Sequence, residues 1–175
     1  DVVVVKETVR TERDIVNEIN VTLKFKTSTN RYSNIMIPTA VFKEESNSET
    51  KYFIEMPYAH GNSLNVWLLQ GHSINNRIHV LQEICKGVQD LHDKGVIHCA
   101  VELENVLMSS PDGDAFPIIC DFGLVQDQGA GSSSATDSGR PLYSQPYRAP
   151  ELSRVGGQGG SKKTDCYALG KLARK

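Results

Sequence analysis

The stretch from Ser73 to Gly95 does most to limit how this chain can fold. Ile78, Leu81, Ile84, Cys85, Val88 and Leu91 recur at intervals that place them along one stripe of a helix. Ser73 supplies an N-cap oxygen, and Lys94-Gly95 supplies the stop. A long helix with one apolar stripe has to bury that stripe, so the flanking segments must cover it. Upstream, the β-branched run Val2 to Val5 reads as a buried strand, with Lys6 next. Ile15, Ile19 and Leu23, spaced by four within Thr8 to Phe25, predict one face of a helix. Lys24 to Ser33 is polar and reads as a loop. Ile35 to Phe42 and Tyr52 to Met56 read as strands, and the polar link Lys43 to Lys51 makes them a hairpin.

Downstream, Val96 to Met108 is apolar with a polar interruption. Pro111-Asp112-Gly113 marks a turn before a short strand at Phe116 to Cys120. Gln126 to Arg140 is rich in Gly, Ser and Asp and reads as a mobile loop, and Gly156 to Ser161 as a second. Tyr167 to Leu172 opens another helix. The pattern predicts a small sheet-rich lobe, a joint at Pro57 to Asn65, and a mainly helical lobe.

Composition narrows the function classes. The 175 residues are 39% hydrophobic and 23% charged, ordinary for a globular domain with a real core. The formal charge of −2 leaves no electrostatic footprint for nucleic acid or an anionic membrane. No apolar run approaches the roughly 20 residues that span a bilayer. Cys85, Cys99, Cys120 and Cys166 form no CxxC pair and sit in apolar segments, so they read as buried free thiols. That favours a reducing, intracellular compartment. The start at Asp1 and the finish on Lys171 to Lys175 read as those of a piece of a longer chain, so a leader upstream is left open.

Three elements carry the chemistry, in order: His98-Cys99-Ala100-Val101-Glu102-Leu103-Glu104-Asn105, then Asp121-Phe122-Gly123, then Ala149-Pro150-Glu151. With Leu91 to His98 before them, Met56 to Leu64 as a hinge, and Asp165 to Gly170 after them, the chain resembles the protein kinase family over nearly its whole length. The resemblance implies an α+β, bilobal kinase-like fold, partial at both ends. It has an N-lobe at 1–56, a hinge at 57–65, and a C-lobe at 66–175 with an activation segment at 121–151. The family's Gly-rich loop would lie before Asp1 and its remaining C-terminal helices after Lys175. Glu151 would then lack its usual Arg partner, and the isolated piece would be poorly stable.

By the same resemblance, ATP and Mg²⁺ are the expected cofactors, and a protein substrate or partner is expected beside them. Asp121 and Asn105 match the metal ligands, hard oxygen donors suited to Mg²⁺ bridging phosphates. Lys6 matches the lysine that binds the α- and β-phosphates, with Glu18, or the nearer Glu12, as its helix partner. Thr22 stands where an apolar spine residue is usual. Met56 aligns with the gatekeeper. The Pro57 carbonyl would accept from the adenine amine and the Ala59 N–H would donate, since Pro57 has no N–H. Val4 would roof the base and Leu107 would floor it.

The departures bear on function. His98 opens the catalytic loop, but Ala100 stands where the family has its catalytic Asp and cannot accept a proton. Loss of a general base costs about 10²–10⁴ in rate. Glu102 replaces the Lys beside the γ-phosphate, turning attraction into repulsion of roughly 4 kcal/mol for unit charges 4 Å apart at an effective dielectric near 20. Cys99 replaces the Arg that clamps a phosphorylated loop, although Ser132, Ser133, Ser134, Thr136 and Ser138 are present. The resemblance therefore implies a pseudokinase that binds Mg-ATP and works as a scaffold or allosteric regulator. Two alternatives stay open. One is an active kinase, Ser/Thr-type from Tyr147 to Glu151, with Glu102 as surrogate carboxylate. The other is a kinase-like domain that binds no nucleotide.

Overall fold

A computed structural model describes residues 2–8, 12–26, 34–46, 50–127, 144–153 and 159–175. Three strands, β1 (Val3–Thr8), β2 (Ala40–Glu45) and β3 (Thr50–Pro57), form an antiparallel sheet in the order β1-β3-β2, with helix α1 (Glu12–Lys26) between the first two in sequence. The rest is helical with short ribbons. It comprises α2 (Leu64–Leu68), α3 (Ile74–Asp93), β4 (Val96–Ile97), β5 (Val106–Met108), β6 (Pro117–Ile119), β7 (Gln126–Asp127) and α4 (Lys162–Leu172). β5 pairs with β6 and β4 with β7, both antiparallel. This is the expected mixture of a small sheet and a helical region.

Helix α3 forms where predicted. Ser73 Oγ accepts from Asn76 N at 3.2 Å, and Gly95 closes the C-terminus with φ of 74°. Its buried stripe includes Gly87 and the side chains of Val80, Ile84, Val88 and Leu91, the last four packing into one core with Trp67, Ile97, Met108 and Ile119. Ile78 and Cys85, expected on that stripe, are exposed. The spacing allows either neighbouring face, and the burial of Val80 decides between them. The same adjustment holds in α1, where Ile15, Glu18, Val21 and Phe25 face inward while Leu23 is 57% exposed. A mixed helix has two usable stripes, and α1 buries the one that carries Phe25.

Five further expectations change. Val2 to Val5 are exposed, because β1 lies at the sheet edge with β3 as its one paired neighbour among the described residues. The strand expected at Ile35 to Phe42 is split by Pro38, which has no N–H to give a ladder. Its first part docks on the other lobe instead. Met36 N donates to Ile119 O (2.7 Å) and Ile119 N to Asn34 O (2.8 Å), while the sheet strand starts only at Ala40. Lys24 to Lys26 finish α1 rather than open a loop. Gln126 and Asp127, expected in a loop, pair with Ile97 and Val96. Helix α4 begins at Lys162, five residues before Tyr167, because Ser161 and Thr164 form a reciprocal capping box. Most of the first expected loop, 27–33, the bulk of the second, 128–140, and residues 156–158 of the third lie outside the described residues.

Two of the four cysteines depart from the buried reading. Cys99 and Cys120 are buried, whereas Cys85 and Cys166 are exposed. All four are free thiols. No helix among the described residues is long and apolar enough to cross a membrane.

Candidate functional site

The pleat of the sheet assembles the first half of the site. Val4 and Lys6 lie two apart on β1, so they share a face. Their register partners on β3 are Met56 and Ile54, which extend the same face. Beyond Pro57, the last residue of β3, Tyr58 N donates to Val2 O at 3.1 Å and ties the connecting segment to β1. That segment then crosses to the other lobe. Gly61 N donates to Met108 O (2.9 Å), Met108 N donates to Asn62 O (2.8 Å), and Ser63 bridges Leu107. The crossing is close enough to require glycine, since a Cβ on Gly61 would sit 2.1 Å from Ser110 O. Met56, Ala59 and Leu107, expected around one base, are all half-buried here, with Val4 and Pro57 more exposed.

The second half is a set of loops stitched by buried polar groups. The 3₁₀ turn Leu103–Asn105 leads into β5. Asn105 Nδ2 donates to Ala100 O at 2.9 Å, which leaves its amide oxygen as the atom able to face a cation. The Asn105 carbonyl accepts from Cys120 N at 2.9 Å and so fixes the residue just before Asp121. His98 is fully buried. Its Nε2 lies 3.2 Å from Cys120 O and its Nδ1 accepts from Ala100 N at 3.2 Å. That pattern requires the neutral ring protonated on Nε2, and burial holds the imidazole pKa below its ordinary value. Phe122 packs edge-on against the same ring, with centroids 5.3 Å apart.

Asp165, at the start of α4, holds this loop from beneath. It is completely buried, and its carboxylate accepts from His98 N (2.9 Å), Cys99 N (3.0 Å) and His92 Nε2 (2.8 Å). Cys99 takes φ of 63°, a left-handed conformation that costs a non-glycine residue about 1–3 kcal/mol. The two amide bonds to a buried carboxylate offset that strain. Burial pushes the Cys99 thiol pKa well above its usual value, so it is inert as a nucleophile. Gly160 touches this thiol, since a Cβ there would lie 2.3 Å from Cys99 Sγ. Sequence reading missed the roles of Asp165 and His92. Their signal was a polar residue beside an apolar helical stripe in each of two helices that must meet.

The two halves meet at one ion pair. Lys6 Nζ stands 3.4 Å from Asp121 Oδ2, joining the edge strand of the sheet to the loop after β6. Asp121 also has a left-handed backbone, φ 69°, and its Oδ1 accepts from Gly123 N at 3.4 Å. Of the two candidate helix partners of Lys6, Glu18 is buried and Glu12 is exposed. Glu102, two residues after Ala100, accepts from Ser144 N at 2.5 Å.

The donor set suits a hard cation. Asp121 and the Asn105 amide offer hard oxygen donors, and the Cys120 N–Asn105 O bond ties their two segments together. Among the described residues no group of three or more His, Cys, Asp or Glu side chains could hold a metal on its own. Such a cation would need phosphate oxygens and water to complete its shell, as Mg²⁺ does.

Comparison with known proteins agrees with this geometry. The model of the protein kinase domain matches residues 2–174. The chain is 31% identical over 130 residues to the meiosis-specific serine/threonine-protein kinase mek1 of Schizosaccharomyces pombe, covering 73% of this chain and 28% of that protein. It is 33% identical over 94 residues to the serine/threonine-protein kinase PknJ of Mycobacterium tuberculosis (53% and 15%) and 27% over 135 residues to Pkn1 of Myxococcus xanthus (77% and 19%). The chain thus spans less than a third of the length of each of these curated relatives. With a kinase domain model matching it nearly end to end, and the Lys, Asn and Asp-Phe-Gly positions gathered between sheet and helices, the chain belongs to the protein kinase family.

Proposed function

We propose that this chain is a pseudokinase-type domain that binds Mg-ATP and acts through a protein partner rather than by efficient phosphoryl transfer. The observation that carries the reading is the Lys6–Asp121 pair beside an alanine at position 100. The groups that would hold phosphate and metal stand together, and the group that would take the substrate proton is a methyl.

In this reading Lys6 binds the α- and β-phosphates, and Asp121 and Asn105 hold Mg²⁺. The bound ion would neutralise phosphate charge. The Pro57 carbonyl and the Ala59 N–H face the adenine edge, Met56 stands at its back, and Val4 and Leu107 lie above and below the ring. His98 keeps the catalytic loop in place through its two hydrogen bonds. Ala100 offers no acceptor for a hydroxyl proton, and Glu102 places a carboxylate where negative charge would gather.

Two measurements on the full-length protein test this. Mg-ATP at 100 times its Kd is expected to stabilise the domain by about 2.7 kcal/mol, read as a rise in Tm. Asp121→Asn should remove the Mg²⁺-dependent part and Lys6→Met most of the rest. Transfer of γ-phosphate to a generic Ser/Thr substrate should not exceed that of Asp121→Asn. Transfer that disappears in Asp121→Asn would overturn the pseudokinase reading, and no shift with Mg-ATP would overturn the nucleotide reading.

A further inference from the structure

We propose that Glu102 is a positioning residue that holds the Ser144–Arg148 turn against the catalytic loop. The inference gives the second substituted catalytic-loop position a role, and it stands whether or not nucleotide binds.

The contact depends on charge type. The group opposite Glu102 is a backbone N–H, which can only donate. A lysine at position 102 would bring donors to a donor. A carboxylate accepts, and an acceptor that is charged makes the stronger bond. Replacing Lys by Glu therefore inverts what the position can hold as well as its field. The turn that it holds is well defined, since Tyr147 N and Arg148 N both donate to Ser144 O at 3.1 Å. Tyr147 gives a second anchor. Its ring is buried, its hydroxyl meets the Leu103 backbone, and burial together with the Glu104 charge raises its pKa. Two adjacent loop residues, Glu102 and Leu103, thus hold the two ends of one turn.

The turn is a wall. Ser144, Pro146 and Tyr147 line a groove of about 650 Å³ together with Leu68 at the end of α2, Leu69 and Glu102. Holding Ser144 keeps one lining residue of that groove in place.

Amide hydrogen exchange on the full-length protein tests this, with the urea midpoint measured alongside. Glu102→Lys should lower protection of the Ser144 amide roughly tenfold or more, the effect of losing one charge-assisted hydrogen bond. Amides of the β5–β6 hairpin and the urea midpoint should not move. Glu102→Gln keeps an oxygen acceptor and should retain most of the protection. Equal Ser144 protection in the Lys variant would overturn the proposal, as would equal loss in Gln and Lys. If Glu102→Lys fails to fold, Glu102→Ala read against Glu102→Gln makes the same comparison. Failure here leaves the Mg-ATP shift untouched, and failure of that shift leaves this result untouched, so the two readings fall separately.

Discussion

Each thiol in this chain is governed by its own surroundings. Cys99 and Cys120 are enclosed, and Cys99 is further disfavoured as a thiolate by burial and the nearby Asp165 charge. Cys85 and Cys166 are open to solvent. Alkylation of the native protein should therefore label two of the four thiols, and all four after unfolding, as counted by intact mass. Partial burial and the Cys166 charge raise the Cys85 pKa. The thiolate is the reacting form, so Cys85 should react more slowly than a free cysteine near neutral pH and gain as pH rises toward its elevated pKa. A Cys85 rate equal to that of free cysteine would show that its surroundings leave the thiol unperturbed. These differences were not legible in the sequence. All four cysteines have apolar neighbours there, and apolar neighbours along the chain do not say which side of a helix meets the core.

Helix α1 makes the same point with larger side chains. Phe25 is buried with Val21 and Ile15, while Leu23 projects outward. Phe25→Ala should cost about 3–5 kcal/mol. Leu23→Ala should stay within about 0.5 kcal/mol, as surface changes do. Urea unfolding of the two variants measures both, and a larger loss at Leu23 would reverse the assigned face. The sequence signal in α1 is real but double, because Ile15, Ile19 and Leu23 make one stripe and Ile15, Val21 and Phe25 another. In α3 the cap, the stop and most of the stripe were legible, since they are local properties of Ser73, Gly95 and the apolar spacing. The Ser161–Thr164 box that starts α4 is equally local, but its short polar signal sits beside a glycine-rich run that reads as loop.

Across the whole molecule, one buried carboxylate links three parts of the chain. Asp165 on α4 binds His92 at the end of α3 and the amides of His98 and Cys99 in the catalytic loop. Asp165→Asn removes the charge that all three donors face, and should destabilise by about 1.5–3 kcal/mol, the scale of hydrogen bonding to a charged acceptor. The urea midpoint should fall with little change in slope. A loss below about 1 kcal/mol would mean that packing alone holds the loop.

The order of motifs along the chain was enough to place it among the kinases and to mark Lys6, Asn105 and Asp121 as a set. Those are matters of residue identity and spacing, which the chain carries without folding. Ala100 and Glu102 were legible as departures for the same reason. What Glu102 touches was not, because a carboxylate meets Ser144 N only after the turn before Ala149-Pro150-Glu151 returns to the catalytic loop. Lys6 meets Asp121 only when the sheet edge is laid over the loop after β6, at a distance that no local spacing encodes. Burial of Asp165 likewise depends on α3 and α4 packing together. Local preferences act over a few residues and fix caps, turns and stripes. Partners distant in sequence are chosen by the packing that brings their elements into contact.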